Sequence, residues 1–296
     1  MFPAVIDNNI RKKFVACPTK VKWAHIENLR PITESTVDMH FGRCFAHGVE
    51  WARKAFYYSG ESPANAVDIG ITAAVSEWGD FAETSKSNKT LGSLVTSLRY
   101  YFETWPLGED GLTPVENGIE CGFKRELPIM HPDTGEPLCY AGRMDFCGMN
   151  DEGNITIIDE KTTGRLGDSW WQQWDLDAQM TGYIWAMQEE LSLNRRGTIE
   201  ISAQIRGISV LKGDNGHVEV PITRTLFMVN RWYEQMLRDV TRMIASYKSG
   251  IWDFNLSDSC TSYNRPCEFT QLCLRPNPEQ HIEGAYKVVV WNPLNH

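Results

Sequence analysis

The sequence predicts a mixed α/β fold: a central mixed sheet flanked by helices, with an N-terminal helical segment and a C-terminal cysteine-rich segment. Three observations predict it. Residues 33–105 carry helical periodicity almost throughout. From Gly118 onward three β-prone runs follow in succession, and the last two, Leu138–Met149 and Asn154–Thr162, flank the turn-rich Asn150-Asp151-Glu152-Gly153, the pattern of a β-hairpin. A long amphipathic stretch and two further β-prone runs come after them.

Each element has its own signal. Asn8–Ala16 reads as a helix, and Cys17-Pro18 interrupts it before the apolar–basic run Val21–Leu29. Met39–Tyr58 places Phe41, Cys44, Phe45, Val49 and Phe56 on one inward face, and Ser59-Gly60 stops it. Ser62-Pro63 opens a helix to about Trp78, with serine at the cap and proline in the first turn. Asn88 opens another to about Thr104. Ile119–Ile129 is the first strand of the sheet and residues 131–137 form a loop. Ser169–Leu193 reads as one long helix, Ile199–Leu211 and His217–Val229 as strands about the turn Gly213-Asp214-Asn215-Gly216, and Asn230–Lys248 as a last helix ended by Gly250. Four segments result: 1–30 carrying Cys17, a helical cap at 31–117, a core at 118–250, and a cysteine-rich segment with a short apolar tail at 251–296.

A formal net charge of −9 argues against broad electrostatic wrapping of nucleic acid. It leaves room for a local basic groove, for which Arg11, Lys12, Lys13, Lys20 and Lys22 are candidates; a solvated charge run is the other reading. No stretch approaches the length of a membrane span, and MFPAVIDNNIRKKF lacks the apolar core of a signal peptide, so a soluble, cytoplasmic protein without a membrane partner is expected. In that compartment eight cysteines are thiols or metal ligands sooner than disulfides.

The densest chemistry lies between Gly142 and Lys161. Asp145 sits in the first strand of the hairpin; Asp159, Glu160 and Lys161 end the second, after Ile155, Ile157 and Ile158. Side chains alternate along a strand, so Asp159 and Lys161 share a face and Glu160 takes the other. Two carboxylates and an ammonium then converge at one end of the hairpin. A carboxylate pair makes a hard oxygen site for Mg²⁺ or Mn²⁺. The lysine beside it can orient the attacking water or neutralise charge on a phosphate. These residues read as a metal-dependent phosphodiesterase centre, against the plainer reading of solvated acids at strand ends.

The order helix, three strands, helix, strands, with Asp145 and Asp159-x-Lys161 on the second and third strands, resembles the PD-(D/E)xK nuclease superfamily. More narrowly it is similar to the RecB-like branch with an iron–sulfur cluster, which includes AddB-type, CRISPR-associated and phage exonucleases. The resemblance covers Cys17 to Cys273 and implies a restriction-endonuclease-like core. It makes Asp145 (in GxxD) and Asp159 (in (D/E)xK) metal ligands, and Lys161 the catalytic lysine. The Glu160 carbonyl is implied as a further ligand, and the Glu160 side chain is the rival of Asp159 if the register is displaced by one. Gln179 and Tyr183, one turn apart on a helix face, match QxxxY, which implies contact with DNA and support of the active site; a core Tyr183 with a solvated Gln179 is the alternative. His47 matches an upstream histidine that adds a metal ligand and favours Mn²⁺ tolerance. Its spacing from Gly42 is one residue longer than the family pattern, and His40 is its rival. Glu120 matches a glutamate near the metal, with Glu126 as competitor.

The cysteines extend the resemblance. Cys260, Cys267 and Cys273 cluster beyond the last helix, and Cys17 precedes Pro18 far upstream, like the four ligands of a [4Fe–4S] cluster in this branch. Tying residue 17 to residue 260 restricts the unfolded chain by roughly several kcal/mol, which makes the cluster a structural staple. A Cys₄ zinc site is the alternative occupant, and Cys44 the alternative fourth ligand. Cys121, Cys139 and Cys147 read as small core residues. The implied activity is metal-dependent DNA hydrolysis from free or single-stranded ends, an exonuclease of recombination, repair or end processing. A structure-specific endonuclease and a non-catalytic DNA-binding or assembly subunit are the rivals. Trp170, Trp171, Trp174 and Trp185 offer stacking surfaces for unpaired bases or core filling. The sequence has no G-x-x-x-x-G-K-[S/T], so a helicase or recombination motor would be a partner protein.

Overall fold

A computed structural model describes every residue except 33–35, 84–86, 195–199, 212–213, 257–258, 263–264 and 295–296. The chain opens with strand β1 (Val5–Ile6), helices α1 (Asn8–Ala16) and α2 (Pro18–Val21), a π-helical turn over Lys22–Ile26 and strand β2 (Leu29–Pro31). Three helices follow, α3 (Val37–Tyr57), α4 (Pro63–Trp78) and α5 (Leu91–Thr104), then strands β3 (Thr113–Met130), β4 (Pro137–Met149) and β5 (Ile155–Thr163). Helices α6 (Asp168–Gln172) and α7 (Ala178–Asn194) lead to β6 (Ile201–Leu211), β7 (Asp214–Ile222) and α8 (Leu226–Ser249). Short pieces close the chain: β8 (Thr261–Ser262), β9 (Arg265–Pro266), α9 (Thr270–Cys273), a 3-10 turn at Pro278–His281 and β10 (Tyr286–Val288).

Local chemistry explains the boundaries that differ from the sequence reading. The single helix expected over Ser169–Leu193 is two, because Asp177 caps a fresh start: its carboxylate accepts from Met180 N at 2.9 Å. The strand expected to reach Val229 stops at Ile222, because Thr225 caps α8 and accepts from Met228 N at 3.3 Å. Helix α5 begins at Leu91, after a capping box of Thr90 and Ser93. Pro18 starts α2 at a position where its missing N–H costs nothing. Gly213, in the expected turn, and Ile199, at the expected strand start, lie outside the described residues.

The chain divides into two compact units that are discontinuous in sequence. One is Met1–Glu34, Gly122–Gly142 and Asn230–His296; the other is Ser35–Cys121 and Arg143–Val229, so β3 and β4 each supply residues to both. In the first, β1 runs parallel to the early part of β4, with Val5 opposite Cys139. Arg11 on α1 forms a buried ion pair with Asp239 of α8 at 2.9 Å. Arg11 therefore does not belong to a basic groove, and Lys22 lies over the Trp23 ring at 4.1 Å. Strand β10 pairs antiparallel with β2, and Trp23, Ala24, Leu29, Phe269 and Leu272 form a small core.

In the second unit β4–β5 is antiparallel, β5–β6 parallel and β6–β7 antiparallel. The parallel pair needs a crossover, which α6 and α7 supply. Helices α3, α4 and α5 bury Phe41, Phe45, Leu94, Leu98 and Tyr101 together with Ile208 and Val210 of β6. The fold is thus a mixed sheet flanked by helices, as expected. No helix among the described residues is long and apolar enough to cross a membrane.

Helices α3 and α4 approach so closely that only glycine fits at their crossing. A Cβ on Gly70 would lie 2.4 Å from the Gly48 carbonyl oxygen and 2.7 Å from the Ala52 Cβ. Because the obstacle includes main chain, Gly70→Ala is expected to cost about 1–3 kcal/mol. The check is the midpoint of urea unfolding, and an unchanged midpoint would show that the two helices part without penalty.

Candidate active site

The site begins with a turn. Asn150 Oδ1 accepts from the backbone N–H groups of Glu152 (3.1 Å) and Asn154 (2.9 Å), closing the β4–β5 hairpin. That turn sets a register in which Met149 faces Ile155 and Phe146 faces Ile158. The ladder ends there. The next position in the same register places Asp145 opposite Asp159, and directly opposed residues project to one face. Where the ladder would have continued, the Glu160 N–H donates to Asp145 Oδ2 at 2.8 Å.

Alternation then sorts β5 as expected. Asp159 is 1% exposed, and its Oδ2 faces the Lys161 ammonium in an ion pair. Glu160 turns away: its Oε1 accepts from Arg53 Nη2 at 2.6 Å and from the Tyr101 hydroxyl at 2.7 Å. The Glu160 side chain is therefore not a rival to Asp159. On the Lys161 face, Gly207 stands opposite Lys161 on β6, and the Trp170 ring occupies the space that a Cβ at Gly207 would need.

The electrostatics follow from this crowding. Burial, then the neighbouring Asp159 and Glu160 charges, raise the Asp145 carboxyl well above the usual range. Burial also raises Asp159, against the pull of Lys161. Burial works to lower the Lys161 ammonium, but the two aspartates outweigh it and hold the group protonated. For Glu160, burial is outweighed by the Arg53 guanidinium, which keeps the carboxyl below its ordinary value.

Buried acids of like charge call for a cation, and the Lys161 ammonium is the partner that Asp159 Oδ2 has among the described residues. Asp145 and Asp159 thus fit a hard divalent ion. Among the described residues no three His, Cys, Asp or Glu side chains already stand close enough to hold one ion. The remaining positions would fall to main-chain carbonyl, water and substrate oxygens and to the imidazole expected of His47.

The other expected residues sit as follows. Tyr183 is buried and its hydroxyl donates to the Arg143 carbonyl at 2.7 Å; Gln179 donates to that hydroxyl, also at 2.7 Å. This pair braces β4 two residues before Asp145. His47 Nδ1 lies 3.5 Å from Glu50 Oε2 and lines an open groove of about 650 Å³ with Trp51, Asn65 and Asp68. His40 is structural: it stacks on Phe81 at 3.9 Å, with Nε2 3.1 Å from the Trp78 carbonyl oxygen. Glu120 adopts φ 54° and pairs with Arg143 at 2.7 Å, while burial pushes its carboxyl up to about 7. Its competitor Glu126 is exposed. Trp174 and Trp185 are core residues, whereas Trp171 is exposed.

Cys17, Cys260, Cys267 and Cys273 line one cavity of about 260 Å³, with Thr19, Lys20 and Trp23. Burial raises the Cys267 and Cys273 thiols. Cys44 lies elsewhere, with its Sγ 3.6 Å from His40 Nε2 in the helical core. Cys139 and Cys147 are buried strand residues and Cys121 is half-buried.

Sequence reasoning missed Arg53, Tyr101 and Asp177. The signal for Arg53 was present: it falls at helical spacing from the inward Phe45, Val49 and Phe56, where a charge requires a buried partner.

With the fold and the acids in place, comparison with known proteins agrees. The chain belongs to the PD-(D/E)XK nuclease superfamily, whose family model matches residues 11–274. It is similar in fold to a solved protein from Eubacterium rectale that carries a provisional exonuclease assignment, at a TM-score of 0.50 and 12% identity over 92% of this chain and 93% of the other. A second solved structure, SSO0001, aligns over 75% of this chain and 83% of its own at 13% identity, but its TM-score of 0.28 carries no argument. Among curated proteins none matches the chain. Nucleases of this superfamily generally use divalent metals such as Mg²⁺, and their substrate is DNA.

A carboxyl whose pKa is raised by folding contributes stability while protonated and loses it as pH rises through the folded value. In EDTA, Asp145→Asn should therefore melt above wild type at about pH 8, with the gap closing toward about pH 4. Thermal melts across that range check it; a variant that melts lower at the alkaline end would mean that the Asp145 charge is already compensated.

Proposed function

We propose that this protein is a Mg²⁺- or Mn²⁺-dependent deoxyribonuclease that degrades DNA from its ends, an exonuclease of recombination, repair or end processing. The observation that carries the reading is the Asp145–Asp159 pair at the point where β4 and β5 part, with Lys161 beside it. Asp145, Asp159 and the Glu160 carbonyl would hold the ion, with His47 as the additional ligand that admits Mn²⁺. When bound, the ion supplies Lewis-acid activation of water and polarises the phosphoryl oxygen.

The side chains define the rest. Lys161 stays an ammonium, because Asp159 and Asp145 raise its pKa. It is therefore not a general base; it orients the attacking water and stabilises charge building on the phosphate. Gln179 and Tyr183 hold the β4 main chain ahead of Asp145. Exposed Trp171 offers a stacking surface for an unpaired base at about 1–3 kcal/mol. The exonuclease assignment of the Eubacterium rectale fold relative supports action at ends. The chain lacks a nucleotide-driven motor motif, so a helicase or recombination partner would present those ends.

Lys161→Ala and Asp145→Asn should each abolish release of nucleotides from linear DNA, while far-UV circular dichroism stays that of wild type. A closed circular single strand should remain intact with wild type; cutting it would assign a structure-specific endonuclease. Failure of wild type to cut any DNA form with Mg²⁺ or Mn²⁺ would leave a DNA-binding or assembly subunit.

We further propose that Cys17, Cys260, Cys267 and Cys273 carry a [4Fe–4S] cluster as a structural staple. Four thiols, one early and three late in the chain, around one cavity support this reading, with a Cys₄ zinc site as the alternative occupant. Anaerobically purified protein should be brown, with a broad band near roughly 400 nm. A colourless protein with one tightly bound zinc would overturn it.

A further inference from the structure

Resting on the nuclease reading above, we propose that Arg53 is a positioning residue for the acid pair, acting with Tyr101 through Glu160. Arg53 lies on α3, 4% exposed, and touches both strands of the hairpin at the place where they part. Its guanidinium lies 4.6 Å from the centroid of the ring of Phe146, the neighbour of Asp145 in the chain and a member of the last β4–β5 pair. On the other strand its Nη2 reaches Glu160 Oε1 at 2.6 Å, and it also donates to the hydroxyl of Tyr101 on α5 at 3.0 Å. The Glu160 main chain in turn donates to Asp145 at 2.8 Å and supplies the carbonyl assigned to the metal.

This contact belongs to a built network. Glu160, Arg206 and Glu219 stand opposite one another on β5, β6 and β7, a row of alternating charge across three strands. Arg206 lies 3.5 Å from Glu219, 3.2 Å from Asp110 and 3.4 Å from the Tyr101 hydroxyl. Arg53 and Tyr101 close the row from the helical side. Buried ion pairs are poor stabilisers, since desolvation offsets most of their attraction, and apolar replacements of the same volume are often as stable. What such a pair does provide is a fixed geometry. Here it fixes the residue between Asp159 and Lys161 just after β5 leaves its ladder with β4.

The test compares Arg53→Lys, Arg53→Met and the double variant Arg53→Met/Glu160→Leu, which leaves no buried charge unpaired and should melt like wild type. Two readouts are taken: Mn²⁺ binding by calorimetry, counted as the binding that Asp145→Asn abolishes, and kcat and KM on linear DNA. The expected result is weaker Mn²⁺ binding and a kcat reduced by up to roughly 100-fold in both Met variants, KM for DNA unchanged, and recovery of most of the rate in Arg53→Lys. A stable double variant with wild-type Mn²⁺ affinity and kcat would overturn the proposal and leave the network a packing feature. If wild type binds Mn²⁺ but cuts no DNA, the nuclease reading fails, and the Mn²⁺ affinities of the variants still decide the positioning role.

Discussion

Two carboxylates forced side by side, in a place too dry to ionise both at no cost, are the constraint around which the active-site unit is arranged. Asp145 and Asp159 face each other one position beyond the end of their ladder; burial raises the pKa of both, and the Asp159 charge raises Asp145 further. Lys161 and the Glu160 N–H each answer part of that charge. A divalent ion held by the two acids, as proposed, would relieve the remainder and would tie its own binding to the integrity of the hairpin.

The two faces of β5 divide the labour. One carries Asp159 and Lys161, the groups proposed for the chemistry; the other carries Glu160 into a network of Arg53, Tyr101 and Arg206. The period of two makes this separation automatic. It also means that the scaffold and the reacting groups share one main chain, so a change on the helical side is transmitted to the acids without touching substrate. Tyr183 works the same way on β4, holding the Arg143 carbonyl and not a ligand.

The cysteine cavity poses a separate problem of chain economy. Its four thiols come from residue 17 and from a segment beyond residue 259 whose own secondary structure is slight, with two-residue strands and a four-residue helix. Such a segment buries little apolar surface for each residue it orders, and a covalent or metal link offsets that deficit.

Much of this was legible from residue patterns. Periodicity and turn chemistry located α1, α3, α4, the β4–β5 hairpin and α8, because those signals are local. Alternation along β5 alone separated Asp159 and Lys161 from Glu160; clustering singled out Cys260, Cys267 and Cys273, and the family resemblance added Cys17, the four that line one cavity. The break between α6 and α7 escaped because an amphipathic pattern persists through it, while the capping role of Asp177 depends on conformation. The sequence by itself determined which residues are chemically able to act. The tertiary structure decided which of them meet: that Glu160 finds Arg53, that His40 is spent on Phe81 and Trp78, that Arg11 is buried against Asp239. Those contacts join positions from 38 to 228 residues apart, and the energy that selects them is burial and charge compensation, which no local window of sequence contains.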